Sequence, residues 1–168
     1  KTEYGELGMI RSTVSMFAVF AGFGLGMTAT KYIAEFRHSH PEKTGKIIGL
    51  TTLFAGGTGG IISIIILIAA PYIATYSINA PQLVNEIRLG AVMLFFSALN
   101  GAQTGTLSGF EAFKTIAKVN LISGLLAFLI QIVCTLLLGL QGSVIGFGLS
   151  FFILWILNFF AVRQESKK

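Results

Sequence analysis

The sequence predicts an all-α fold, a polytopic membrane helix bundle with about five transmembrane helices. Of its 168 residues, 54% are hydrophobic and only 11% are charged, whereas a soluble domain carries about 25% charged residues. The few charges are also clustered, and no Asp, Glu, Lys or Arg occurs in residues 12–30, 47–85 or 119–162. Since a transmembrane helix needs about 20 consecutive apolar residues, each of these stretches is long enough to cross a bilayer.

A charged segment, Lys31–Lys46, separates the first two apolar stretches. It contains four of the twelve basic residues, both histidines and two of the seven acidic residues. A short charged segment between two apolar runs is typical of a loop at the membrane surface, and basic loops stay in the cytoplasm. The side of every other segment then follows from the number of crossings.

Five spans make up a single predicted membrane domain, residues 1–168. Pro71 is expected to close the second span, and Gly139-Leu-Gln-Gly142 to separate the fourth from the fifth. Residues 72–88 are expected to form a loop. Residues 109–118 are expected to form a short amphipathic helix on the membrane surface, with Phe113 on its apolar face, that runs straight into the next span. The expected spans are about 11–30, 46–70, 89–108, 119–138 and 143–162.

Small residues at four-residue spacing predict where the helices pack closely, because they let helix backbones approach one another. Trp155, in the fifth span, is expected in the protein core. The small-residue positions are Gly22 and Gly26 in the first span, Gly101, Gly105 and Gly109 in the third, and Gly142, Gly146 and Ser150 in the fifth.

The basic residues predict an orientation. With five crossings, nine of the twelve fall on one side of the membrane and three, Lys1, Arg11 and Arg88, on the other. The positive-inside rule therefore places the C-terminus in the cytoplasm and the N-terminus outside. Because an outside N-terminus without a signal peptide is unusual in a polytopic protein, and residue 1 is Lys, we expect a fragment that a further helix precedes.

Polar side chains within the spans are the candidate functional residues, because they are costly in hydrocarbon. The amides have two interpretations: they hydrogen-bond between helices, or they belong to a hydrated cavity that the third and fourth spans line. Arg11, at the outer start of the first span, either snorkels to the surface or faces that cavity. The substrate-cavity candidates are Arg11, Asn100, Gln103, Asn120 and Gln131.

The sequence predicts no enzyme, catalytic residue, cofactor or metal site. It contains no HExxH, P-loop, nucleophile-elbow or CxxC motif. His38 and His40 are two apart in the charged segment without a third ligand nearby, and the single cysteine, Cys134, lies in an apolar run. The basic residues lie beside apolar runs rather than in a stripe, which argues against a nucleic-acid partner.

Two stretches of the sequence resemble one family of transporters. The first is GLGMTATKYIAEFR at 24–37, continued by PEKTG at 41–45 and IIGL at 47–50. The second is LNGAQTGTLSGFEAFK at 99–114, followed by AKVN at 117–120, and YGELG at 4–8 adds to them. Together they resemble the polysaccharide (O-antigen type) flippases of the MOP superfamily, which also contains the MATE multidrug exporters and the lipid II flippases.

The resemblance implies helices two to six of a MATE-like six-helix N-terminal lobe, without the first helix and the second lobe. It implies a transporter in the cytoplasmic (inner) membrane of a bacterium, flipping a lipid-linked oligosaccharide of the polyprenyl diphosphate type for surface polysaccharide biosynthesis. Membrane lipids and other polysaccharide assembly proteins are the partners it implies. The alternatives are a MATE-like exporter of small cationic compounds and a non-transporting membrane scaffold. An acidic residue deep in the spans would favour the exporter, and the expected spans contain none.

Overall fold

The computed structural model describes residues 24–77 and 79–167, and this part of the chain is a helix bundle without a β-strand. Numbered in chain order within it, the helices are α1 (Leu25–Phe36), α2 (Pro41–Tyr72), α3 (Val84–Gly109), α4 (Phe113–Gly139) and α5 (Gln141–Glu165). From α2 onward all four are long and apolar enough to cross a membrane. The predicted fold class, a polytopic helical membrane bundle, is confirmed.

The first predicted span, 11–30, lies mostly outside the described residues. Its last residues belong to α1, which runs on past Lys31 and ends at Phe36. The charged segment is thus partly helical, and its connection is the short stretch Arg37–His40. Pro41 then begins α2, a position where a proline costs nothing because the first helical N–H has no partner within the helix.

Pro71 does not close the second span, contrary to the prediction. The α2 helix continues through it to Tyr72 and then becomes a π-helical turn, Ile73–Ser77. A proline inside a helix removes one backbone hydrogen bond, and π turns and Thr side chains re-satisfy the freed groups in membrane helices. Thr75 Oγ1 donates to the Pro71 carbonyl at 2.7 Å. The expected loop 72–88 is shortened from its other end as well, because a 3₁₀ turn at Pro81–Leu83 leads directly into α3.

The amphipathic helix expected at 109–118 begins only at Phe113, and from there it runs straight into the fourth span, as expected. Gly109 ends α3, the backbone turns at Phe110–Ala112, and α4 begins at Phe113. Glu111 occupies the turn with φ 57°, a conformation that a helix cannot contain. Phe113, expected on the apolar face of that helix, is 64% exposed.

The break between α4 and α5 lies where the sequence predicts it. Gly139 has φ 60° and ψ −133° inside an otherwise helical segment. Residues with a Cβ avoid this conformation, so glycine at this position permits the reversal. The two helices form a tight hairpin, because Gly142 lies against the backbone of Cys134 and Gly146 against Gln131.

The central helix of the bundle is α3. In the most apolar 18-residue stretch of α3, 50% is buried inside the protein, whereas only 6% of the corresponding stretch of α4 is buried. Leu94 and Ala98 pack against α2 in one cluster, and Leu107 packs against α4 and α5 in another. Trp155 of α5 packs against Phe96 of α3, with ring centroids 5.8 Å apart, which agrees with its predicted place in the core.

The glycine spacing of α3 marks its contact with α1, as predicted. A Cβ on Gly105 would overlap the backbone of Gly26, and a Cβ on Gly109 would lie 2.7 Å from Cβ of Ile33. Thr30 Oγ1 lies 2.9 Å from the carbonyl oxygen of Gly105 and donates to it across the contact. The two stretches that carry the family resemblance therefore pack directly on each other.

Candidate functional site

Asn100, the first of the predicted cavity residues on α3, joins α3 to α5. Its Nδ2 donates to the Phe151 carbonyl at 3.0 Å, and its Oδ1 accepts from Asn158 Nδ2 at 3.2 Å. Both asparagines are buried, where an amide without partners is costly. At this position the structure shows a hydrogen bond between helices, the first of the two interpretations of the amides.

Gln131 holds the hairpin between α4 and α5 together. Its Nε2 donates to the Ser143 carbonyl at 3.1 Å. One turn further along α4, the Thr135 and Ser143 hydroxyls are 2.8 Å apart. These contacts lie close to the reversal at Gly139 and lock its geometry.

Gln103 differs from the other amides, because its hydrogen-bonding capacity is incompletely used. It is buried, and its Oε1 has no hydrogen-bond partner among the described residues. Leaving a buried acceptor unpaired costs about 1–3 kcal/mol. Of the predicted cavity residues that are described, Gln103 alone is both buried and incompletely paired.

The predicted cavity residues do not form one cluster. Asn120 is exposed in the second turn of α4, eleven residues before Gln131, which corresponds to about 16 Å along a helix. No hydrogen bond joins any two of Asn100, Gln103, Asn120 and Gln131 within the described ranges. Arg11 lies outside the described residues.

The polar and small residues of α4 share one face. Asn120, Gly124, Gln131 and Thr135 recur at helical spacing. A shallow cavity of about 170 Å³ lies beside this face, between α4 and α5, and includes Gly124 and Ser150 of α5 in its lining. The opposite face of α4 carries exposed apolar side chains, among them Ile122, Leu129 and Val133, as expected of a surface in contact with lipid.

Ionic and polar contacts join three segments at one end of the bundle, which we call the charged end: the connection 37–40, the turn and first residues of α4 at 110–115, and the last turn of α5. Arg37 Nη2 lies 2.7 Å from Glu111 Oε2, and its Nη1 lies 3.5 Å from the Gly109 carbonyl. Thr115 Oγ1 donates to Glu165 Oε1 at 2.8 Å. The ion pair extends the contact between α1 and α3 beyond the glycines.

Glu86 is a buried carboxylate that the sequence analysis missed. It lies in the first turn of α3, 4% exposed, and its Oε2 has no partner among the described residues. The sequence analysis placed it in a polar loop. The spacing of Leu83, Ile87, Ala91 and Leu94 is helical and would have extended α3 to include it.

The described residues contain no group of three or more His, Cys, Asp and Glu side chains that could hold a metal ion. His38 and His40 are exposed. The polar side chains of the described helices can donate and accept hydrogen bonds at membrane depth. At the charged end of the bundle, side chains can also attract ligands of opposite charge.

The chain is similar to known proteins. A family model described as "Polysaccharide biosynthesis protein" matches residues 1–165. Proteins named Lipid III flippase from Escherichia coli (strain K12) and from Shigella flexneri are each 22% identical over 145 residues. The match covers 86% of this chain but 35% of each relative, so the chain spans about a third of their length. No solved structure matches the chain.

Proposed function

Because this chain belongs to the family of polysaccharide biosynthesis proteins, we propose that it acts in flipping a lipid-linked oligosaccharide of the polyprenyl diphosphate type across a bacterial cytoplasmic membrane. The family match over residues 1–165 carries this proposal, and the name of the two relatives, Lipid III flippase, supports it. The process is transport without covalent chemistry. The product serves surface polysaccharide biosynthesis, where other assembly proteins receive it.

The physical problem of such transport is moving a glycan and an anionic diphosphate through hydrocarbon. Amides and cations that replace water around these groups lower the cost. Gln103 is the best-supported contact for sugar hydroxyls, because its buried Oε1 has no partner among the described residues. Asn120, exposed on the polar face of α4, is a second. Asn100 and Gln131 bond to backbone carbonyls of neighbouring segments and in this proposal act by fixing α3 and α4 against α5.

Orientation in the membrane is part of the proposal. The charged end faces the cytoplasm, together with the C-terminus, because it carries most of the basic residues. Arg11 then lies on the outer side, next to a stretch without charge, and receives the lipid diphosphate there.

The proposal is tested in cells that depend on this gene for surface polysaccharide. Arg11→Ala should reduce surface polysaccharide at matched protein levels, and Arg11→Lys should restore part of it, because the charge remains but the bidentate geometry does not. Arg88→Ala is the control, since Arg88 is an exposed cation on the same predicted side. If Arg11→Ala exports polysaccharide at the wild-type rate, Arg11 is only an anchor.

One specific observation, the burial of Glu86, favours the alternative function, export of small cationic compounds. A buried carboxylate in a span would suit a carrier of small cationic compounds, and Glu86 lies in the first turn of α3. Deletion of the gene distinguishes the two functions. Loss of surface polysaccharide supports the flippase, whereas intact polysaccharide with increased sensitivity to cationic dyes supports the exporter.

A further inference from the structure

A cavity of about 540 Å³ opens at the charged end of the bundle. Its volume lies within the range of small-molecule sites, about 300–1,000 Å³. It lies between the connection Arg37–His40, the start of α2 and the end of α5. The lining includes the apolar residues Pro41, Ile48 and Phe110. It also includes the basic residues Arg37, His38 and Lys167.

The guanidinium of Arg37 has unused hydrogen-bonding capacity beside this cavity. Arginine carries five N–H donors. One Nη atom pairs with Glu111 and the other points at the Gly109 carbonyl over a long 3.5 Å. Nε is buried without a partner in the described part of the chain. Arg37 can therefore hold Glu111 and still donate to another acceptor.

The acidic residues near the cavity are engaged elsewhere. Glu111 pairs with Arg37 and does not line the cavity. Glu165 lines it, but its Oε1 accepts from Thr115. An anion in the cavity would therefore face Arg37, His38 and Lys167. The lining contains one carboxylate, that of Glu165.

The start of α2 does not supply the binding groups. The N–H groups of Lys43 and Thr44 both donate to the His40 carbonyl, so they are not available to a ligand. Recognition in this cavity would depend on side chains.

We propose that this cavity binds the phosphate group of a lipid at the membrane surface. Cations beside apolar side chains match a phosphate joined to a hydrocarbon chain, and basic pockets between transmembrane helices bind anionic headgroups. Two lipids share this chemistry: an anionic phospholipid and a polyprenyl diphosphate. The proposal does not rest on the proposed function, since a phospholipid would occupy the cavity whether or not the protein transports a glycan.

Native mass spectrometry of the purified chain tests the proposal. The chain is titrated separately with dihexanoyl phosphatidylglycerol, undecaprenyl diphosphate and inorganic pyrophosphate. The double variant His38→Gln/Lys167→Gln should bind the preferred lipid at least tenfold more weakly, a loss of about 1.4 kcal/mol, because it removes the Lys167 charge and the His38 imidazole that face the phosphate. Both residues are exposed, so the fold should not change, and thermal unfolding checks this.

Lys114→Gln is the matched control, an exposed cation at the charged end that does not line the cavity. The lipid bound more tightly by the wild-type chain identifies the source of the phosphate. Equal binding by wild type and the double variant would overturn the proposal, as would equal weakening by Lys114→Gln. Pyrophosphate binding as tight as that of either lipid would overturn the lipid requirement.

Discussion

The contact between α1 and α3 predicts a large difference between two glycines of the same helix. Gly105 and Gly101 are one turn apart on α3. A Cβ on Gly105 would overlap the carbonyl oxygen and the Cα of Gly26, which are backbone atoms that cannot rotate away. A Cβ on Gly101 would meet nothing within 4 Å. The change from glycine to alanine should therefore be harmful at 105 and tolerated at 101.

The magnitude follows from two effects. Forcing an extra methyl group into a well-packed contact costs about 1–3 kcal/mol. Separation of the helices also lengthens the 2.9 Å hydrogen bond from Thr30 to Gly105, and such bonds in membrane proteins average about 0.6 kcal/mol. Alanine has a higher helix propensity than glycine, which raises the free energy of unfolding by at most about 1 kcal/mol. We expect Gly105→Ala to lower the free energy of unfolding by about 1–3 kcal/mol, and Gly101→Ala to leave it unchanged or raise it slightly.

Unfolding of the purified chain in mixed micelles by increasing SDS measures this difference. Far-UV circular dichroism follows the helices, and the fluorescence of Trp155, the only tryptophan in the sequence, follows the packing of α5 on α3. Coincident transitions by the two probes would justify a two-state free energy. If Gly105→Ala is as stable as Gly101→Ala, the close approach of α1 and α3 does not exist in the protein.

Two further predictions test the orientation and the reversal between α4 and α5. Cysteines at Ser39 and Ser77, both exposed, should be labelled from opposite sides of intact cells when Cys134 is replaced by serine, because α2 separates them; labelling from the same side would contradict the crossing of α2. Gly139→Ala should destabilise the chain by about 1–3 kcal/mol through backbone strain at φ 60°, whereas Gly124→Ala, helical and with open space at its Cβ, should not; equal stability of these two variants in the SDS titration would show that the reversal adopts another conformation.

The sequence predicts the fold class well because the bilayer imposes a simple rule. Charged side chains stay out of hydrocarbon, so stretches without charge mark the helices. The same rule indicates a reversal within residues 119–162, because this uncharged stretch is about twice as long as one crossing, and Gly139-Leu-Gln-Gly142 marks its position. It fails at Pro71, because a proline does not always end a helix in a membrane protein. The α2 helix continues through Pro71 into a π turn, and Thr75 Oγ1 donates to the Pro71 carbonyl.

The sequence also predicts which side chains of the candidate site are unusual, but not what they contact. Asn100 and Gln131 are amides in apolar spans, and sequence alone left interhelical bonds and a hydrated cavity open. The structure gives both a backbone carbonyl as partner. The reason is that pairing depends on the relative rotation of helices, which a hydrophobic pattern of nearly uniform residues does not specify.

The geometry of α3 restricts the directions from which a hydrogen-bond partner can reach Gln103. At 3.6 residues per turn, Gln103 lies about 200° from Gly105 around the helix axis. The Gly105 face is covered by α1, so α1 cannot supply the partner that the Oε1 of Gln103 lacks. That partner has to approach α3 from the other side, where Asn100 already contacts α5. If Gln103 contacts the substrate, as proposed, the transport pathway passes on the α5 side of the central helix, away from the face on which Gly105 and Gly109 contact α1.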